Sequence, residues 1–396
     1  MFPDRRQYPG GPPEPPYDMT GYELRLQMGI TVDSIGAPFE VPERVVDEVA
    51  PPPGGVEGPG DRAFVLTHAE NSSAIAVNRL LVSGATVQWS AAPFQAAGRS
   101  WPAGTFIIDG AGDGQGEGLG RTDVEALGVE LGLRFHALAE TPTVARLRLR
   151  APRIGLYKGF TGNMPEGWTR WLLERYEFPY ENVSNADIQT GDLSGYDIIV
   201  LPDQSAASML DGHRPGRVPP EYVGGIGVDG GRALRQYVDD GGWLLAMDQA
   251  SDFAIEQLGL PVRNIVRGAQ SSDFFIPGSL IRLDLDTGDP LAFGMPEEGI
   301  VFFVRSQVFD AVDGRDADVD VFSRYARDDY LASGWALGAD EQLAGGDAGV
   351  RIAMGDGQVI LHAFEPAFRA QPHGTFKLLF NPLFASTVKE PLWQQR

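Results

Sequence analysis

The sequence predicts an α/β protein: a flavodoxin-like parallel sheet with a β-rich insertion, preceded by a smaller α/β layer. Three observations predict it. Residues 154–157 and 198–201 are apolar throughout, as strands buried on both faces must be. Between them, Trp168, Trp171, Leu172 and Tyr176 fall at i, i+3, i+4 and i+8, which predicts one buried helix face. A second helix over 230–240 closes at Gly241-Gly242 and leads directly into an apolar run at 243–247. Strand–helix–strand repetition is the signature of a parallel sheet.

Taken in order, residues 1–61 read as a Pro/Gly-rich linker with one leading strand within 22–32. The layer over 62–150 starts with a strand at 63–67. A helix over 71–82 follows, with Asn71 or Ser72 as its cap, then strands at 86–89 and 105–108 and a helix at 123–131. The larger unit, 151–396, takes the strand–helix–strand opening, a long Gly/Pro loop over 204–229 and a helix at 251–258. Residues 272–340 are β-rich, with turns at Thr287-Gly288 and Asp313-Gly314. A last buried strand at 358–363 and a helix at 375–383 close the chain.

Composition removes several functions. A net charge of -22 repels nucleic-acid phosphates. The absence of cysteine excludes disulfides, thiolate metal sites and a cysteine nucleophile. No apolar stretch reaches the length of a membrane span, and the first residues contain no secretory signal. Met1 opening onto a Pro-rich segment reads as a piece of a longer protein.

Most chemical motifs dissolve on inspection. His362 and Glu365, with His373 close behind, imitate an H-x-x-E zinc site. The third ligand comes too soon, and His362 falls inside a buried strand. His68, His136 and His213 have no ligand spacing, so no metal is predicted. The Gly110–Gly118 run fits no phosphate-loop spacing, and its Asp113 and Glu117 would repel phosphate. Asp284/Asp286/Asp289 and Asp316/Asp318/Asp320 lack the glycine and terminal glutamate of a calcium loop. One constellation remains. The predicted strand ends bring Lys158, Asp203, Asp248 and Glu365 to one edge of the sheet, with Ser251 and Arg369 beside them. Such a crevice suits a small polar ligand; caps and ion pairs are the plainer account, with Asp248 or Ser251 capping the following helix.

Two blocks, GNMPEGWTRWLLERYEFPY with LPDQ, and GQVILHAFEPAFRAQPHGTFKLLFNPLF, resemble the C-terminal region of large bacterial zinc carboxypeptidase-family proteins. The resemblance extends over the segment from Val218 to Asn264, and PPYDMTGYELRLQMGI is similar to the segment joining peptidase domain and C-terminal region. It implies a class I glutamine amidotransferase-like domain, with the Asp248–Ser251 turn where amidotransferases carry their cysteine. It also implies an exported, periplasmic or secreted, parent protein. Zinc and the catalytic residues would belong to a peptidase domain absent from this chain. The expectation is therefore a non-catalytic accessory region that docks to or stabilises that peptidase domain, with no cofactor of its own. The alternatives are a small-ligand or carbohydrate-binding module at the strand-end crevice, or a hydrolase using Ser251 or the carboxylates.

Overall fold

The structure is a computed structural model that describes residues 5–111, 119–389 and 392–393. Most of the Gly110–Gly118 run therefore lies outside the described residues. Before the first sheet, α1 (Leu24–Met28) is, among the described residues, the one regular element beyond single bridges. The strand expected within 22–32 is thus a short helix, ended by Gly29 in the left-handed conformation. This segment is not a free linker. A side chain on Gly278 would collide with Met19, and Gln371 donates to Tyr22 Oη at 2.7 Å.

The first sheet contains β1 (Gly55–Glu57), β2 (Ala63–Leu66) and β3 (Val87–Ser90), with a separate hairpin of β4 (Phe94–Ala96) and β5 (Arg99–Trp101). It continues with β6 (Phe106–Asp109), β7 (Arg134–Leu138) and β8 (Arg146–Arg148), in the order 1-7-2-6-3-8. Only β1 and β7 are parallel; the other pairs are antiparallel. Its helices, α2 (Ser72–Val82) and α3 (Arg121–Leu131), fall where the apolar spacing puts them.

The second sheet begins with five parallel strands. These are β9 (Ile154–Tyr157), β10 (Tyr180–Val183), β11 (Ile198–Leu201), β12 (Trp243–Met247) and β20 (Gly357–His362), ordered 10-9-11-12-20. The β-rich part is wider than the 272–340 expected for it, since β13 (Val262–Asn264) precedes that range and β19 (Asp347–Met354) follows it; it extends this sheet from β20 through antiparallel β19. It also comprises β14 (Pro277–Leu285), β15 (Glu298–Val304), β16 (Phe309–Ala311), β17 (Asp320–Tyr325) and β18 (Leu331–Ser333). The helices are α4 (Met164–Arg175), α5 (Asn185–Thr190), α6 (Ala206–Asp211), α7 (Gly227–Asp239), α8 (Ala250–Leu258), α9 (Ala339–Gln342) and α10 (Phe376–Ala385).

Two helices correct or extend the sequence reading. α4 starts where Asn163 caps it, accepting from Glu166 N at 2.7 Å, with proline in its first turn. Its inner face is Glu166, Thr169, Leu172 and Leu173, and Tyr176 beyond its end is also buried. Trp168 and Trp171, expected in the core, are instead part-exposed. Spacing alone could not choose between two neighbouring stripes, because Met164, Trp168 and Trp171 form a second one. In α10 every residue is buried. Phe384 meets Phe178 on one side and Trp89 and Phe106 of the first sheet on the other, so α10 ties the two sheets into one core.

Candidate functional site

The parallel register determines what meets at the carboxyl edge. Leu201 lies beside Ala246, and Met247 beside His362, so the residues just past these strand ends converge. Asp203 follows β11, Asp248 follows β12 and Glu365 follows β20. Asp248 sits in the turn into α8 with φ 48°, a left-handed backbone that costs a non-glycine residue about 1–3 kcal/mol. The turn is held from both sides: Asp248 N–H donates to His362 O at 2.8 Å, and Ser306 Oγ donates to Asp248 Oδ2 at 2.6 Å. Asp248 is 4% exposed, and its Oδ1 has no partner.

The three carboxyls cannot all ionise. Burial pushes Asp248 well above the usual carboxylate range, and the neighbouring Asp203 pushes it further. Asp203 is also raised by burial, although Gln249 donates to it from its backbone at 3.1 Å and its side chain at 3.2 Å. Glu365 is pushed up to about 8, by burial first and then by the charge of Asp203, to which it hydrogen-bonds. Each of Asp203 and Glu365 therefore hinders ionisation of the other.

The remaining predicted residues take different places. Lys158 stands at the same edge after β9 and lines a separate crevice. Arg369 borders the carboxyls and draws Glu365 downward, but its guanidinium holds Asp18 at 3.2 Å. Ser251 does not face the edge. It is fully buried, its hydroxyl shared between Ala246 O and His362 O, each at 3.2 Å. Neither Ser251 nor Asp248 caps α8, whose first turn has no side-chain cap. His362 is a core histidine bonded through Nε2 to Leu378 O at 2.9 Å. Among the described residues, no group of three or more His, Asp or Glu is placed to hold a metal.

The crevice at the ends of β9 and β10 has a volume of about 260 Å³. Lys158, Asn182, Asn185, Gln189 and Glu221 supply its polar lining, and Phe160 and Tyr222 its aromatic part. The two rings stack at 4.0 Å with 19° between planes, and they are 46% and 44% exposed. The long loop after β11 brings Tyr222 back to Phe160. Thr161 Oγ1 and His213 Nε2, 2.7 Å apart, tie the two segments together. Asn185 accepts from Tyr157 Oη at 2.9 Å, and Gln189 donates to Gly225 O at 2.9 Å, so both amides are held in place. Sequence reasoning missed Phe160 and Tyr222. The available signal was an aromatic directly after Lys158-Gly159 and another inside a Pro/Gly loop.

A larger cavity, about 430 Å³, opens at the opposite edge among Arg150, Arg153, Asp197, Tyr237 and Lys389. Its central charge is already paired. Arg153 grips Asp197 at 2.7 and 3.2 Å, which holds the carboxyl below its ordinary value although burial alone would raise it. Size therefore does not single this cavity out as the functional one.

No protein-family model matches the chain, and no curated protein matches it. Among solved structures, it is similar to a cytoplasmic protein from Salmonella typhimurium, at 14% identity and a TM-score of 0.40, over 60% of this chain and 100% of that one. A protein described as ThuA-like from Bacteroides uniformis matches at 12% identity and a TM-score of 0.35, over 61% and 92%. A protein described as part of a GMP synthase, from Thermoplasma acidophilum, matches at 12% and 0.36, over 60% and 94%. At these TM-scores none of the likenesses bears on what this chain does.

Proposed function

We propose that this region binds rather than catalyses, and that its ligand is a small polyhydroxylated molecule of the carbohydrate type seated in the crevice beside β9 and β10. The frame is flavodoxin-like: numbered along the chain, the parallel strands run 2-1-3-4-5, and ligands of such sheets gather where the order reverses. That point lies between β9 and β11, next to the crevice. The observation that carries the reading is the exposed Phe160–Tyr222 pair above a polar floor. Sugar rings present C–H faces that pack on aromatic surfaces and hydroxyls that pair with amides and carboxylates. The volume of about 260 Å³ lies below the ~300–1,000 Å³ of drug-sized sites and favours a single ring or the end of a chain.

A binding role also agrees with the elbow. In a glutamine amidotransferase-like frame, the turn after β12 would carry the nucleophile. Here it carries Asp248, and the nearest hydroxyl inside α8, Ser251, is committed to two carbonyls. Titrating mono- and oligosaccharides by calorimetry is the test. A saturable ligand should lose at least tenfold in affinity with Tyr222→Ala or Phe160→Ala while circular dichroism stays unchanged. Equal binding by the aromatic variants would end the reading.

A second reading, the accessory role beside a zinc-bearing peptidase domain in an exported protein, is favoured by α4. Met164, Trp168 and Trp171 are 76%, 37% and 45% exposed at i, i+4 and i+7, an apolar stripe of the kind protein interfaces cover. Mixing this chain with a separately produced catalytic domain of the carboxypeptidase family tests it. A complex weakened by Trp168→Ala and Trp171→Ala supports the role, and no complex by sedimentation refutes it.

A further inference from the structure

A hairpin covers the outer face of the first sheet, held there by a contact that one proton can break. β4 and β5 pair only with each other, and their turn, Ala97-Gly98, is left-handed at both positions. Phe94 and Trp101 pack on Ala63, Val65, Ile107 and Leu138 of the sheet, in a cluster separate from the main core. Among the described residues, one polar contact between side chains joins hairpin to sheet: Arg99 Nη1 lies 2.8 Å from His136 Nε2 on β7. Arginine can only donate, so Nε2 must accept, and the proton of the neutral ring sits on Nδ1. That nitrogen lies 3.6 Å from Glu57 Oε2 on β1, a placement that suits this tautomer.

The contact exists only while the ring is neutral. Once His136 takes up a proton, both ring nitrogens donate, Arg99 loses its acceptor and two cations face each other. We propose that Arg99 and His136 form a pH-sensitive latch, which holds the β4–β5 hairpin against the first sheet and releases it when His136 is protonated. The surrounding charges favour release over a protonated ring held in place. From the hairpin, Arg99 is the facing charge, and the Trp101 ring meets the imidazole edge-on at 5.1 Å. From β7 itself comes Arg134, and from β1 comes Glu57, the one opposing charge. Glu57 is half-exposed and already shared with Arg134 at 3.3 Å, so it neutralises little of a new charge on the ring. Burial first, then Arg99, holds His136 below its ordinary 6.5. The latch therefore contributes fully above that value and is lost as pH falls through the lowered one. Because the Arg99 guanidinium also lies over Trp101, 5.0 Å from the ring centre, the polar latch and the apolar anchor move together. Release uncovers Val65, Ile107 and Leu138, an apolar surface that the chain presents only in acid.

The test is an NMR titration of the whole chain from neutral pH to about 5, above the range in which exposed carboxylates protonate. A neutral paramagnetic agent in the solvent reports exposure of the Val65, Ile107 and Leu138 methyls and the Trp101 ring, while the His136 ring signal reports its proton. Relaxation at these four residues should rise at least threefold across the His136 midpoint, with Leu80 and Val124 in the main core unchanged. His136→Gln keeps an oxygen that accepts from Arg99 and takes no charge, so it should keep the methyls shielded throughout. Arg99→Met should raise the His136 midpoint and leave the methyls partly exposed even at neutral pH. Shielding that holds through the His136 titration, acid exposure that persists in His136→Gln, or a wild-type midpoint at or above the ordinary 6.5 overturns the latch.

Discussion

The two edges of the parallel sheet treat buried carboxyls in opposite ways. At the amino edge, Asp197 has a full set of donors from Arg153, with Arg150 3.6 Å away, and is held ionised. At the carboxyl edge, Asp203, Asp248 and Glu365 lean on one another, and Arg369, which draws Glu365 downward, is occupied by Asp18. The amino edge has the larger cavity and a settled charge balance. The carboxyl edge has the smaller crevice, a strained turn and an unpartnered Asp248 oxygen. Charge has been balanced at one edge and left unbalanced at the other, and the unbalanced edge is the one beside the proposed crevice.

The sharpest way to break this contrast is to neutralise one carboxyl at each edge. Asp197→Asn should cost roughly 1–3 kcal/mol at pH 7, because it weakens charged hydrogen bonds to a buried acceptor. Asp248→Asn should cost less than about 1 kcal/mol or stabilise, since asparagine tolerates the left-handed turn and needs no proton. Denaturant melts of both variants decide it; equal losses would erase the distinction.

The pH dependence should also have opposite signs. Asp197 is depressed, so its contribution is present above its ordinary 3.8 and is lost as pH falls through the lowered value. Glu365 is raised, so its contribution is present below 4.5 and is lost as pH rises toward about 8. Glu365→Gln can still donate to Asp203 and should flatten the stability curve across that upper window. A curve as steep as the wild type's would contradict a raised Glu365. The smallest effect belongs to Lys158→Ala. This partly exposed residue has no ion pair among the described residues, so the substitution should change stability by less than about 0.5 kcal/mol. Any ligand of the crevice should nonetheless bind more weakly to the variant.

The parallel strands are legible in the sequence because each is apolar on both faces, and the meeting of Asp203, Asp248 and Glu365 follows from strand ends alone. Contacts made across long separations are not legible. Phe160 and Tyr222 meet only because the loop after β11 returns to β9, and Met19–Tyr22 pack on β14 and the turn before α10. Two expectations fail for a physical reason that spacing hides. On α4, two stripes of apolar residues run side by side, and helical periodicity alone assigns Trp168 and Trp171 to the wrong one. Its position after β12 suggests that Ser251 lies near the edge, but the helical rotation from Asp248 turns its hydroxyl into the core.

The central claim is that the small crevice, not the large cavity, is where this chain meets its ligand. The direct measurement is an NMR titration of the isotopically labelled chain with a carbohydrate panel, read at residues lining both. The account predicts saturable shifts at Phe160, Gln189 and Tyr222 with none at Tyr196, Tyr237 or Trp243. Saturable shifts confined to the large cavity, or none at the crevice with any sugar, would contradict it.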